Sequence, residues 1–392
     1  MEPIPDSLTA LLTEESYRQR EFPVTESTLF FGHAGVTALP RCVADAVCDY
    51  TQACSRSDQE FDGVLRRIED VRATCAELIG ARPGEIALLG PTSLGLSLFA
   101  NGLTWNPGDE VLCYRDDYPA NVYPWKNLER QGVVIRYVEP EVPGAITPEL
   151  VEASLSPKTR LVALASCHFL SGQRIDVDAI GKLVHEHGAL FSLDAIQTLG
   201  AFETKVDHVD FLSADSHKWL LGPLAAGIVY VAEEHFERLR PTLIGAWNVR
   251  SPQYVAQETI EFEPSARRYE PGVLNCAGIF GMQAAITMIL NLGLPTISER
   301  LLHLRKYLGE GLTSRGFSVW EPKDRHLRSG ITTVSGPEGV SLGKIFHSLS
   351  QNGVAASHRH DRQGQGYLRF SPHFYNTEEE CDRLLAILDE IS

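Results

Sequence analysis

The most constraining feature of this chain is a rhythm that starts near residue 85. Short apolar runs at 85–89, 110–114, 133–138, 161–165, 190–193, 209–213 and 227–231 alternate with longer amphipathic segments such as 176–187. Each run has strand length, and several are rich in Val, Ile or Tyr. Parallel neighbours need a crossover connection, and most of the segments between runs are long enough for a helix. The rhythm predicts an α/β fold: a mostly parallel central sheet with helices on both faces. Runs 209–213 and 227–231 leave no room for a long crossover helix, so an antiparallel neighbour fits there. Ahead of the rhythm, 40–80 reads as helical.

Beyond Glu263 the pattern changes. Helical stretches at 277–292 and 295–314 lead to short strands near 317–320, 330–335, 353–357 and 366–370. A last helix is expected over 378–391, with Thr377 as its N-cap and Glu378 to Glu380 favourable to the helix dipole. The expected organisation is an N-terminal segment (1–30) packing on a small domain, a large domain (31–265), and the small C-terminal α+β domain (266–392).

Charge and cysteine usage narrow the function classes. The formal net charge is −16, which disfavours nucleic-acid backbones and anionic membrane surfaces. The eight cysteines form no CxxC pair, so zinc-ribbon and thioredoxin readings fail, no metal site is expected, and reduced thiols in a cytoplasmic protein are. Residues 1–20 lack a signal-peptide apolar core. The longest apolar stretch, 220–232, is broken by Gly222, Pro223 and Gly227 and is too short to span a bilayer.

In open parallel sheets ligands sit at the carboxyl ends of strands, so the residues just after those ends carry the interest. Run 209–213 leads to Ser216-His217-Lys218-Trp219. A lysine at a strand exit can be desolvated and made nucleophilic toward an aldehyde, although a lone lysine is usually a solvated charge. Run 190–193 ends at Asp194, which reads equally as a helix cap or as the buried partner of a protonated ring nitrogen. Gln197 follows one helical turn on. Run 85–89 leads to Pro91-Thr92-Ser93 at a helix start, an ordinary cap or an anion site for a phosphate. Run 110–114 leads to Tyr118, a core residue or an aromatic able to stack on a planar ring. His168 follows run 161–165 and reads equally as an acid–base group or a hydrogen-bonded scaffold histidine.

At these residues, and over nearly its whole length from Phe30-Phe31-Gly32-His33-Ala34 to Arg369-Phe370-Ser371-Pro372-His373-Phe374-Tyr375-Asn376-Thr377, the chain resembles the aminotransferase class V family. These are fold-type I enzymes dependent on pyridoxal 5'-phosphate (PLP), among them cysteine desulfurases and isopenicillin N epimerases. The resemblance implies that Lys218 carries the cofactor as a Schiff base, Asp194 holds the ring nitrogen and Gln197 contacts the ring oxygen. It puts Tyr118 where many members stack a histidine, and Thr92, Ser93 and His217 on the phosphate. Arg369 would bind the substrate carboxylate, a bidentate task suited to guanidinium, or serve as a structural ion pair. His33 is expected beside the substrate, and His168 to act as a further acid or base.

The chain also departs from the family. The family's Arg-Phe-Glu-x-Gly-Thr loop reads Arg268-Tyr269-Glu270-Pro271-Gly272-Val273, so no hydroxyl is there to reach a partner subunit's phosphate. Asp215 stands where some members have a phosphate-binding serine and is expected to point away, with Ser213 or Ser216 in its stead. Desulfurases carry a sulfur-accepting cysteine near the C-terminal active-site loop, whereas this segment reads Ala355-Ala356-Ser357-His358-Arg359-His360-Asp361-Arg362. The histidines and arginines of that run could meet an acidic side chain of a substrate; a solvated loop is the expected reading. Cys167 is read as a buried small residue.

The implied function is a PLP-dependent enzyme acting on an α-amino acid. Its amino group would displace Lys218 from the cofactor, and its Cα proton would then be lost. An aminotransferase or a desulfurase-like C–S/Cβ lyase without the loop cysteine is expected. The alternatives are an isopenicillin N epimerase-like racemase and a non-catalytic binding protein of the same fold. The family implies a homodimer with the Gly272 loop near the partner's cofactor.

Overall fold

The computed structural model describes residues 5–391. Seven strands form the central sheet: β1 (Ile86–Leu88), β2 (Glu110–Tyr114), β3 (Val134–Val138), β4 (Thr159–Ala165), β5 (Leu190–Asp194), β6 (Phe211–Asp215) and β7 (Gly227–Val231). Their order is β1-β7-β6-β5-β4-β2-β3. β3, β2, β4, β5 and β6 run parallel to one another. β7 runs antiparallel to both β6 and β1, as the short spacing before it requires.

Both faces of the sheet are buried, and side chains alternate between them. On β2 and β4, Leu112, Tyr114, Val162 and Leu164 join one apolar cluster while Val111, Cys113, Leu161 and Ala163 join another. Helices α1 (Arg41–Cys54), α2 (Val64–Ile79), α4 (Val177–Glu186) and α5 (Cys276–Leu292) cover the first face, and α3 (Thr92–Gly102) covers the second. The helical stretch expected over 40–80 is two helices, because 55–63 leaves the helix and Gly63 takes φ 96°.

β6 starts two residues later than its apolar run. Asp210 is the reason: its carboxylate accepts the Phe191 N–H and bonds the His185 and His235 rings (2.5–3.0 Å). That network ties the strand entry to β5.

The C-terminal part has its own sheet, in the order Ser357–His360, Gly366–Phe370, Thr332–Ser335, Ser318–Val319; in chain order these are β8 (Ser318–Val319), β9 (Thr332–Ser335), β10 (Ser357–His360) and β11 (Gly366–Phe370). Helices α6 (Leu294–Thr313), α7 (Leu342–Gln351) and α8 (Glu378–Ile391) pack on it through Leu304, Leu308, Leu349, Leu384 and Leu388. Thr377 caps α8: its hydroxyl accepts the Glu380 N–H (3.2 Å), and the Glu380 carboxylate accepts the Thr377 N–H (3.1 Å). Leu29 and Phe30 pair in parallel with Val354 and Ala355. Arg18 bonds Glu380, and Phe22 stacks on Tyr375. His358, Arg359 and His360, expected in a solvated loop, belong to strand β10, paired antiparallel with β11. No single described helix is long and apolar enough to cross a membrane.

Candidate active site

A cavity of about 490 Å³ opens where the exits of β5 and β6, the start of α3, the β2 exit turn and the β10–β11 hairpin converge. Its lining includes Thr92, Ser93, Tyr118, Asp194, Gln197, His217, Lys218, Arg359 and Arg369. Eight residues spread through the sequence as candidates for one site, all of these but Arg359, are therefore neighbours.

The anion-seeking end is the first turn of α3. The opening N–H groups of a helix have no intrahelical acceptor and carry the positive end of its dipole. Thr92 is anchored there, since its hydroxyl accepts the Asp215 N–H (2.8 Å) and its carbonyl accepts from Ser213 Oγ (3.0 Å). Gly95 permits this contact, because a Cβ there would lie 2.4 Å from Ser213 Oγ. Asp215 is turned out of the cavity, as expected. Its oxygens accept the Ser216 and Ala225 N–H groups and pair with His217 Nδ1 (2.7 Å). That leaves His217 Nε2 as the ring atom able to serve the cavity.

The centre of the cavity is set by an acid and a base. Asp194 closes β5 and is 2 % exposed. Among the described residues its carboxylate has one backbone donor, the Ile196 N–H (3.1 Å). Burial pushes its carboxyl up to about 6, partly offset by Lys218. Lys218 is 7 % exposed. Burial pulls its ammonium down to about 8, Asp194 raises it, and Arg369 and Arg359 lower it further. Its Nζ lies 5.3 Å from the centre of the Tyr118 ring, which leans edge-on to Phe169. Gln197 is fixed by two contacts: its Oε1 accepts from Trp219 Nε1 (2.8 Å) and its Nε2 donates to Ala34 O (3.2 Å). Gly222 allows the tight turn after Lys218, where a Cβ would meet Ser216 Oγ at 2.5 Å.

Arg369 lies on β11 and is 1 % exposed. Nη1 donates to Phe169 O (2.5 Å) and Nη2 to Ser357 Oγ (3.4 Å), while Nε is buried without a partner. Among the described residues no carboxylate pairs with it. Burial and the nearby Arg359 pull its pKa down to about 9. A buried guanidinium in that state is a receptor for an anion. The structural ion-pair reading of Arg369 therefore fails.

Three expected site residues are not in the cavity. His33 is fully buried, with Nδ1 on Ser371 O and Nε2 on the Tyr375 hydroxyl (both 2.9 Å); its neighbours Gly32 and Ala34 reach the lining and it does not. His168 has both ring nitrogens committed, to Ser171 Oγ (2.9 Å) and Asp116 O (3.0 Å), and burial pulls it down to about 4. It is a neutral scaffold histidine. Ser216 is buried and its hydroxyl donates to Pro223 O (2.8 Å); Ser213 is likewise tied to Thr92 O. Cys167 is fully buried outside the lining.

Sequence reasoning passed over Asp117 and read Arg359 as part of a solvated loop. Asp117, beside Tyr118, is buried and pushed up to about 7 by desolvation and by Asp194; it holds the Tyr118 turn by accepting from Asn121 Nδ2 (2.9 Å) and the Tyr118 N–H (2.7 Å). Arg359 lines the cavity from β10. The two-residue alternation of Ser357 and Arg359 was the signal for a strand that presents both to one side.

The aminotransferase class-V family model matches residues 29–384. Among curated relatives, a probable cysteine desulfurase of Methanothermobacter thermautotrophicus is 26% identical, covering 95% of this chain and 97% of its own. An uncharacterized aminotransferase of Bacillus subtilis is 25% identical, covering 96% of this chain and 97% of its own. Among solved structures, the apo cysteine desulfurase of Thermococcus onnurineus superposes with a TM-score of 0.88 at 24% identity, covering 100% of this chain and 98% of that one. The last comparison concerns the fold alone.

Proposed function

The chain belongs to the aminotransferase class-V family and is a PLP-dependent enzyme, and from that premise we propose that it is a lyase acting on an α-amino acid, breaking a bond at Cβ in the desulfurase-like manner without a cysteine to carry the sulfur. The observation that carries this reading is the cavity lining, which combines Lys218, Asp194 and an unpaired Arg369 and contains no cysteine. The probable desulfurase of Methanothermobacter thermautotrophicus supports the reaction class.

The residues present fit the cofactor. A desolvated lysine is suited to covalent attachment of an aldehyde. A buried carboxylate with a single backbone donor is suited to a protonated ring nitrogen, which would replace the missing solvation. The α3 start, Ser93 and His217 Nε2 offer donors for the phosphate, and Tyr118 supplies a ring wall. Gln197, held by Trp219 and Ala34, would meet the ring oxygen. Bound PLP supplies an electron sink for the pair left at Cα. Arg369 grips the α-carboxylate and so fixes which Cα bond faces Lys218. Lys218, at about 8, exchanges a proton near neutral pH and takes it from Cα. With no thiol in the lining, the group leaving Cβ passes to solvent.

We further propose a homodimer in the cytoplasm. Gly272 has open space around it and Val273 is 76 % exposed, close to the exposed Leu243 and Ile244 segment through the Gly245–Pro271 contact; an apolar surface of this kind is usually covered. Eight free thiols suit a reducing compartment.

The test is a panel of L-amino acids with the PLP-loaded enzyme, reading keto acid, leaving group, pyridoxamine phosphate and enantiomer ratio. Equal release of keto acid, ammonia and leaving group is expected for elimination at Cβ; alanine with the leaving group would show scission of the desulfurase type instead. Keto acid with pyridoxamine phosphate and no leaving group would establish transamination instead, and enantiomer exchange alone would establish an epimerase.

A further inference from the structure

Resting on the amino-acid reading above and narrowing it to a substrate class, we infer that Arg359 is a second anion receptor in the cavity and that the enzyme prefers an α-amino acid with a negatively charged side chain. Arg359 and Arg369 sit on adjacent strands of the β10–β11 hairpin. The register pairs Ser357 with Arg369 and Arg359 with Tyr367. Ser357 and Arg359 are two residues apart on one strand, so their side chains share a face. Arg369 reaches that same face, since Nη2 contacts Ser357 Oγ at 3.4 Å. The two arginines are therefore diagonal neighbours, roughly 7–8 Å apart at the backbone, and both line the cavity.

Neither has a counter-charge. Among the described residues no hydrogen bond or ion pair reaches the Arg359 guanidinium, and its Nε is buried without a partner. The next arginine on the hairpin, Arg362, does have one, on Asp116. Placing two like charges on one sheet face is unfavourable unless an anion is to come between them. The lining supplies one carboxylate, Asp194, whose place is beside Lys218. The phosphate of the cofactor does not answer for Arg359, because its donors are at the α3 start and His217, on the large sheet's side of the cavity. One guanidinium suffices for an α-carboxylate. The second calls for a further carboxylate or sulfinate on the substrate.

The experiment titrates the PLP-loaded protein with succinate, glutarate and the monoanion butyrate by calorimetry, for wild type, Arg359→Gln and Arg359→Lys. In wild type the better dianion is expected to bind at least tenfold tighter than butyrate. Arg359→Gln is expected to bring that ratio to about twofold or less, and Arg359→Lys to restore part of it. Cofactor absorbance and sedimentation report that each variant is loaded and assembled. In parallel, the ratio of kcat/KM for L-cysteine sulfinate over L-cysteine falls at least tenfold in Arg359→Gln. Equal binding of dianions and butyrate by wild type overturns the inference, as does an unchanged ratio in Arg359→Gln, whether or not cofactor affinity or oligomeric state has changed. If dianions are preferred but no amino acid is turned over, the reaction class fails and Arg359 keeps its role.

Discussion

Replacing Arg369 by Met separates stability from function with opposite signs. Burial pulls the guanidinium well down from its ordinary value, to about 9. A folded-state value below the unfolded one means that the charged form is disfavoured in the fold. The cost is fully present below pH 9 and declines as pH rises above 9 toward the ordinary guanidinium value. At neutral pH it is on the order of 5 kcal/mol. Met is of similar length and removes that cost. It also strands the Phe169 carbonyl, which now accepts from Nη1, at about 1–3 kcal/mol. The ligand-free variant is therefore expected to gain about 2–4 kcal/mol, within the range for exchange of buried charges by apolar groups. Urea unfolding followed by tryptophan fluorescence reads this as a higher midpoint. The kcat/KM of the same variant is expected to fall by a factor of about 30 to several thousand, from loss of a buried charge pair worth roughly 2–5 kcal/mol. A carboxylate ligand should raise the midpoint of wild type and leave that of the variant in place. A lower midpoint for the ligand-free variant would refute the view of Arg369 as an uncompensated cation.

Cofactor capture by stripped enzyme is expected to accelerate up to about pH 8 and then level off, because Lys218 is nucleophilic once neutral and its value is about 8; stopped-flow absorbance checks this, and a rise continuing to pH 10 would show an unshifted lysine. Glu270→Ala is expected to cost about 3–5 kcal/mol in urea unfolding, since Glu270 is fully buried, pairs with Arg72 at 2.8 Å and accepts the Leu88 N–H on β1. His168→Asn is expected to keep kcat within a few-fold and leave the pH profile of kcat unmoved, because the ring is neutral above about pH 4 and lies outside the cavity.

Much of this molecule is written locally. The runs of the sheet other than the edge strand β3 are each a short stretch that buries both of its faces, so their positions and the mostly parallel arrangement follow from the pattern of residues and the length of what separates them. Asp194, Thr92, Tyr118 and Lys218 were legible because a strand exit is a place defined along the chain. Residues whose role depends on which neighbour takes their hydrogen bonds were not. His168, His33 and Ser216 have the same types as catalytic or binding groups, and only packing reveals that Ser171, Tyr375 and Pro223 already occupy them. Arg359 is the converse case. Read along the chain it is one charge in a polar run; across the hairpin it stands diagonal to Arg369 with no anion beside it. Sequence by itself determined the sheet and marked Lys218 and Asp194 as strand-exit residues to inspect. Tertiary structure decided which polar side chains are left with unmet partners, because hydrogen-bond satisfaction is settled between segments far apart in the chain.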